Sequence, residues 1–188
     1  MYKKIYNNIF KLNMVIKKMI DINPENYKSN NILEKDELKL KLEPLRNQSK
    51  KIGLCTGSFD LLHPGHITHF DDAKNMCDVL VVAVALDKFS SQKIPDSGRP
   101  IFSEQLRAFM ISKLKSVDFV ILHDGSASII DIVKPIVYIK GPDYSHGNDE
   151  VVNQQIEIMK SYGGKMYYTQ PEKLSTTDII KYLKEKVK

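Results

Sequence analysis

The sequence predicts an α/β domain, a parallel sheet of about five strands with helices on both faces, preceded by an N-terminal helical extension. Three observations carry this. Short apolar runs recur along the chain, and one of them, residues 78–85, is nearly unbroken, as expected of a central strand covered on both faces. Segments of helical periodicity separate the runs, which is the pattern of parallel strands joined by crossover helices. The unusual loops all follow strands, and ligands in such Rossmann-like sheets bind outside the carboxyl ends of the strands.

Element by element, Ile5, Ile9, Leu12, Ile16 and Met19 or Ile20 recur at steps of three and four, which is helical spacing. Lys3, Lys4, Lys11, Lys17 and Lys18 largely take other faces. Such a helix is expected to pack on its own domain or on a second copy, giving a homodimer. A basic membrane-surface helix is the alternative. A secretory signal does not fit, because lysine interrupts each apolar core. Residues 23–31 read as a linker, so the extension is 1–31 and the domain 32–188.

Leu38, Leu42 and Leu45 suggest a short helix that Pro44 should kink or divide. Residues 52–56 form the first strand and 64–76 the first helix of the core. The strand at 78–85 leads into a polar loop, 87–99, and then a helix at 103–114. Strands at 119–122, 136–139 and 165–168 alternate with helices at 126–133, 150–162 and 176–187. Ser175 is a good N-cap with Asp178 in the capping-box position.

Composition limits the function classes. A hydrophobic content of 42% and a charged content of 27% are ordinary for a globular protein. No apolar stretch approaches the ~20 residues of a membrane span, so no stable insertion is expected. Cys55 and Cys77 make no disulfide framework, which points to the cytoplasm. The net charge is +5, but the first twenty residues hold five lysines and no acid. The 28 basic residues less these five leave 23, equal to the 23 acidic ones. The body is neutral, and nucleic acid is not expected as a partner.

The most informative segment is Gly57-Ser-Phe-Asp-Leu-Leu-His-Pro-Gly-His66, directly after the first strand. Proline suits the first turn of a helix, where its missing N–H has no partner to lose. Gly65 lets a ligand approach the backbone closely. The positive end of a helix with His63 and His66 beside it suits a phosphate-bearing ligand. Alternatives stand beside this reading. His63, His66 and His69 at three-residue spacing could form a metal cluster, although no Cys or carboxylate spacing completes one. Asp60 could fix the loop or meet ligand. Ser175 could cap its helix, bind phosphate, or both. Cys55 reads as a small buried residue.

His63-Pro-Gly-His66, with Gly57-Ser-Phe-Asp60 before it, resembles the signature of the HxGH, or cytidylyltransferase-like, nucleotidyltransferases. Within that superfamily the chain is similar to the adenylyltransferases that make ADP-heptose from heptose 1-phosphate. Gly98-Arg-Pro100 followed by Glu104 and Arg107 resembles their Gly-Arg-Pro region. Lys140-Gly-Pro-Asp-Tyr144 resembles their Lys-Gly-Gly-Asp-Tyr, and Ser175-Thr-Thr-Asp-Ile-Ile180 their Ser-Thr-Thr segment. The resemblance runs from about Ile32 to Lys186. Pro142 and Lys173 depart from the pattern, and Gln170 stands where glycerol 3-phosphate cytidylyltransferases carry arginine.

The resemblance implies transfer of a nucleoside monophosphate, AMP from ATP in the first reading, to a sugar phosphate such as heptose 1-phosphate, for cell-surface polysaccharide synthesis. Pyrophosphate would leave, and Mg²⁺ would enter with the nucleoside triphosphate. A CTP-dependent enzyme for a polyol or other small phosphate is the runner-up, and a nucleotide-binding regulatory module the non-enzyme alternative. His63 and His66 are the implied catalytic pair. Implied nucleotide-binding residues are Thr56, Gly57, Ser58, Phe59, Gly65, Lys88, Lys93 and Arg107. Lys140, Gly141, Asp143, Ser175, Thr176 and Thr177 complete that set. No protein-held metal site is implied. With about fifty residues before the first strand, the sugar kinase fused to some relatives is expected to be a separate protein.

Overall fold

The computed structural model describes residues 23–93, 99–141, 150–169 and 175–186. The expected N-terminal helix, Asp143, Gly98, Pro142, Gln170 and Lys173 lie outside the described residues. In chain order the elements are α1 (Lys35–Asn47), β1 (Ile52–Gly57), α2 (Pro64–Asn75), β2 (Val79–Ala85), α3 (Asp87–Lys93) and α4 (Glu104–Ser112). There follow β3 (Phe119–His123), α5 (Ser128–Val133), β4 (Val137–Lys140), α6 (Glu150–Lys160), β5 (Lys165–Tyr168) and α7 (Thr176–Lys186).

The five strands form one sheet in the order β3-β2-β1-β4-β5, and every pairing is parallel. Alternation along β2 explains why that strand is apolar throughout. Val79, Val81 and Ala83 pack with Leu38 and Leu42 of α1, Ile129, Ile130 and Val133 of α5, and Met159 of α6. Leu80, Val82 and Val84 point the other way, against Phe70 and Ala73 of α2 and Ala108 and Ile111 of α4. The strand order reverses between β1 and β4, so the crevice above their carboxyl ends is the place where this topology binds ligands.

Three local features differ from the sequence reading. Pro44 neither divides nor ends α1, which runs on to Asn47. The bond it forfeits would reach the carbonyl of Leu40, on a face where that residue is 71% exposed and water is at hand. The polar loop after β2 opens with helix α3, whose Asp-Lys-Phe-Ser-Ser-Gln-Lys sequence carries too few apolar residues to show a period. Part of the supposed linker is docked. Tyr27 packs edge-on against Phe109, and Asn31 and Leu33 bond to Val120 alongside β3.

Candidate functional site

The loop between β1 and α2 is fixed from several directions. Phe59 and Leu61 adopt left-handed backbone angles, φ 50° and 53°, which non-glycine residues accept only where surroundings enforce them. The Phe59 ring folds back over Gly57, where an added Cβ would lie 2.8 Å from the ring. Asp60 is buried and spends its carboxylate on the loop. Oδ1 accepts from the amides of Ile101 (2.9 Å) and Phe102 (3.3 Å), and Oδ2 from Nε of Arg99 (3.3 Å). Of its two possible roles, the geometry gives Asp60 that of loop organiser.

This anchoring places His63 as the residue capping α2, with Pro64 in the first helical position. The rings of His63 and His66 stack, centroids 3.7 Å apart and planes inclined by 24°. Phe59 meets His66 edge-on at 5.4 Å. Burial lowers the His63 pKa below the ordinary imidazole range. That of His66 is pushed down to about 3, first by burial and then by His63, His69 and Arg99. Both rings are therefore neutral at pH 7, which lets them stack without repulsion. Their Nδ1 atoms are buried without a hydrogen-bond partner. A neutral imidazole can offer one N–H donor, so such a pair at a helix start brings hydrogen-bonding capacity rather than positive charge.

His69 is committed elsewhere. Its Nδ1 lies 2.7 Å from Oγ1 of Thr169, and the Thr169 amide donates to the carbonyl of Lys140 at 3.0 Å. Among the described residues no group of His, Cys, Asp and Glu is placed to hold a metal ion.

The last helix closes on the same loop. Thr176 is buried and donates its hydroxyl to the carbonyl of Asp60 at 2.5 Å. Exposed Thr177 accepts from Arg99 at 3.3 Å. Ser175 caps the helix, accepting from the amide of Asp178 at 3.1 Å and donating to its carboxylate at 2.6 Å. Two motifs more than a hundred residues apart in sequence thus share one mouth.

Arg107 requires a correction. It is fully buried and cannot neutralise a phosphate from where it sits. Its guanidinium donates to the carbonyls of Phe102 (3.0 Å), Ala85 (2.8 Å) and Ser58, and to Asp87 Oδ1 (2.6 Å). It braces the loops after β1 and β2 from beneath. The sequence shows the charge but not the burial, so this role had no signal of its own. Ser58 is tied down a second way, through Ser90 at 2.9 Å.

Lys88 is exposed on α3, Lys93 closes that helix, and Gly65 occupies its first-turn place in α2. Lys140, at the end of β4, is buried with its ammonium over the Tyr138 ring, 5.0 Å from the centroid. The Tyr138 hydroxyl pairs with Thr56 Oγ1 at 2.7 Å. A Cβ on Gly141 would meet open space, so no neighbour in the described chain demands glycine there. Thr56, Gly57 and Lys140 also border a cavity of about 140 Å³ at the strand ends, together with Ala85, His123 and Gln155. Gln155 was not visible in the sequence as a site residue, because a polar side chain on an amphipathic helix reads as solvent-facing.

The chain is 39% identical over 139 residues to the bifunctional protein HldE of Paramagnetospirillum magneticum, covering 72% of this chain and 28% of that protein. It is 42% identical over 132 residues to the bifunctional protein HldE of Desulfatibacillum aliphaticivorans, covering 69% of this chain and 26% of that protein. The chain therefore spans less than a third of the length of these relatives. The solved structure of the lipopolysaccharide core biosynthesis protein from Thermoplasma volcanium superposes with a TM-score of 0.53 at 31% identity, over 67% of this chain and 99% of that one. No helix among the described residues is long and apolar enough to cross a membrane. Residues 54–182 match the cytidylyltransferase-like family model, and with the histidine pair at the start of α2 and the Thr176 contact to its loop, the chain belongs to the cytidylyltransferase-like family.

Proposed function

We propose that this protein is a sugar-phosphate adenylyltransferase of the ADP-heptose type, acting in cell-surface polysaccharide synthesis. The carrying observation is the stacked, neutral His63–His66 pair at the start of α2. In the proposed reaction an acceptor phosphate oxygen attacks the α-phosphorus of ATP. A new P–O bond forms, the bond to the bridging oxygen breaks, and pyrophosphate leaves with the electron pair. A phosphate monoester is already a nucleophile at neutral pH, so the protein needs to position the reactants and stabilise charge at phosphorus. Neutral imidazoles suit this, because they donate hydrogen bonds without needing protonation. Mg²⁺ enters as part of the nucleotide substrate, held by phosphate oxygens and water. The N-terminal extension is proposed to support self-association.

Pyrophosphate release tests the reading, using purified protein, Mg²⁺, ATP or CTP, and a panel of heptose, hexose and glycerol phosphates. ATP with a sugar 1-phosphate is the expected productive pair. Productive turnover only with CTP and a polyol phosphate would replace it with the cytidylyltransferase reading. Tight ATP binding with no release from any pair, in wild type as in His66→Ala, would leave a regulatory module.

A further inference from the structure

The cavity at the strand ends has a composition unlike the histidine-bearing loop after β1. Its polar lining comes from Thr56, His123, Lys140 and Gln155, and its apolar lining from Phe89, Val151 and Val152. Gln155 is 2% exposed, and its Oε1 is buried with no hydrogen-bond partner. A buried amide oxygen left unsatisfied costs free energy, and such atoms in folded proteins commonly await a ligand or water. Helix α6 presents Gln155 and Val152 one turn apart on the same wall, so the polar atom is held rigidly rather than on a loop.

Size and chemistry narrow the occupant. About 140 Å³ is below the roughly 300–1,000 Å³ of pockets that take drug-sized ligands, which suits a small group. The lining is that of a site for a small polyhydroxylated group: C–H faces to pack on Phe89 and the valines, and a hydroxyl hydrogen for Gln155 Oε1. Lys140, buried in the lining with its ammonium over the Tyr138 ring, favours an anionic substituent on the same molecule.

We propose that this cavity binds the sugar or polyol part of the phosphorylated acceptor, and that Gln155 reads one of its hydroxyls and so sets acceptor specificity. The inference rests on the transferase reading for the identity of the ligand as acceptor.

The test uses the full chain and direct binding, by calorimetry, of heptose 1-phosphate, mannose 1-phosphate, glucose 1-phosphate and glycerol 3-phosphate, and separately of ATP with Mg²⁺. Gln155→Met keeps length and removes the polar atoms. It is expected to weaken the best-binding phosphate by roughly tenfold or more and to leave ATP affinity within twofold. Val152→Leu, which fills the cavity from the preceding turn, is expected to do the same and serves where the Gln155 variant does not fold. Parallel loss of ATP affinity, unchanged acceptor affinity in both variants, or no binding of any panel member by wild type would each overturn the assignment. Wild type that binds an acceptor at Gln155 but releases no pyrophosphate would refute the transferase reading and keep the site. Turnover with an acceptor KM unmoved in both variants would do the reverse.

Discussion

His69 Nδ1 and Thr169 Oγ1 lie 2.7 Å apart, joining the helix that carries the histidine pair to the end of β5. Both residues are buried, and the Thr169 amide continues the link to the carbonyl of Lys140. Thr169→Val preserves shape but strips His69 of its partner, at a cost of about 1–3 kcal/mol. Urea denaturation should report that loss, and kcat should fall as α2 and the end of β4 lose their mutual register. Thr169→Ser keeps the hydroxyl and should restore both.

His66→Ala should lower kcat by about 10²–10³, the usual cost of removing one preorganised donor to a developing oxyanion. His63→Ala should act similarly. Because the rings stack at 3.7 Å, the double variant should cost little more than either single one. Steady-state kinetics on the three proteins checks this, and fully additive losses would mean the two rings act separately.

Acid should destabilise the fold through the same helix. The pKa of His66 is about 3 and that of His69 about 4, both lowered chiefly by burial, against about 6.5 for an unfolded histidine. Between those values the unfolded chain binds protons that the native state refuses, so stability rises with pH. The contribution is complete above pH 6.5 and is lost as pH falls toward 4, with a slope on the order of 1 kcal/mol per pH unit. Melting curves from pH 7 to pH 5 should show it, and His69→Phe should flatten the slope.

Arg107→Lys should behave as a folding defect rather than a binding defect. A lysine cannot supply the planar fork that serves Ser58, Ala85 and Phe102 at once. Leaving a carbonyl of this buried site without its donor typically costs about 1–3 kcal/mol. Chemical denaturation should show that loss, and the salt dependence of ATP binding should stay as in wild type, since no phosphate contact is removed.

Periodicity made the sheet readable in advance, because a fully covered parallel strand such as Val79–Ala85 leaves few alternatives. The histidine pair and the threonine segment were readable because each sits at a helix start with characteristic neighbours. Other features were hidden for physical reasons. Residue type reports charge but not depth, so Arg107 looks like a phosphate ligand until its burial is known. Helix α3 is stabilised by its surroundings, with Ser90 bonded to Ser58 and Asp87 to Arg107, contacts that no local pattern announces. His69 and Gln155 acquire meaning only from partners, or the want of one, far away in sequence.

The bond between Thr176 and Asp60 spans 116 residues. All five strands lie before residue 169, so the sheet does not draw on α7 for its own pairing. The Asp60 carbonyl gains this partner only when α7 docks, and ordering a contact of such separation carries a larger loop-closure cost than a local one. The loop after β1 therefore leans on a segment that the sheet does not need, and a chain shortened before α7 would keep its strands and lose a clamp on the histidine-bearing loop.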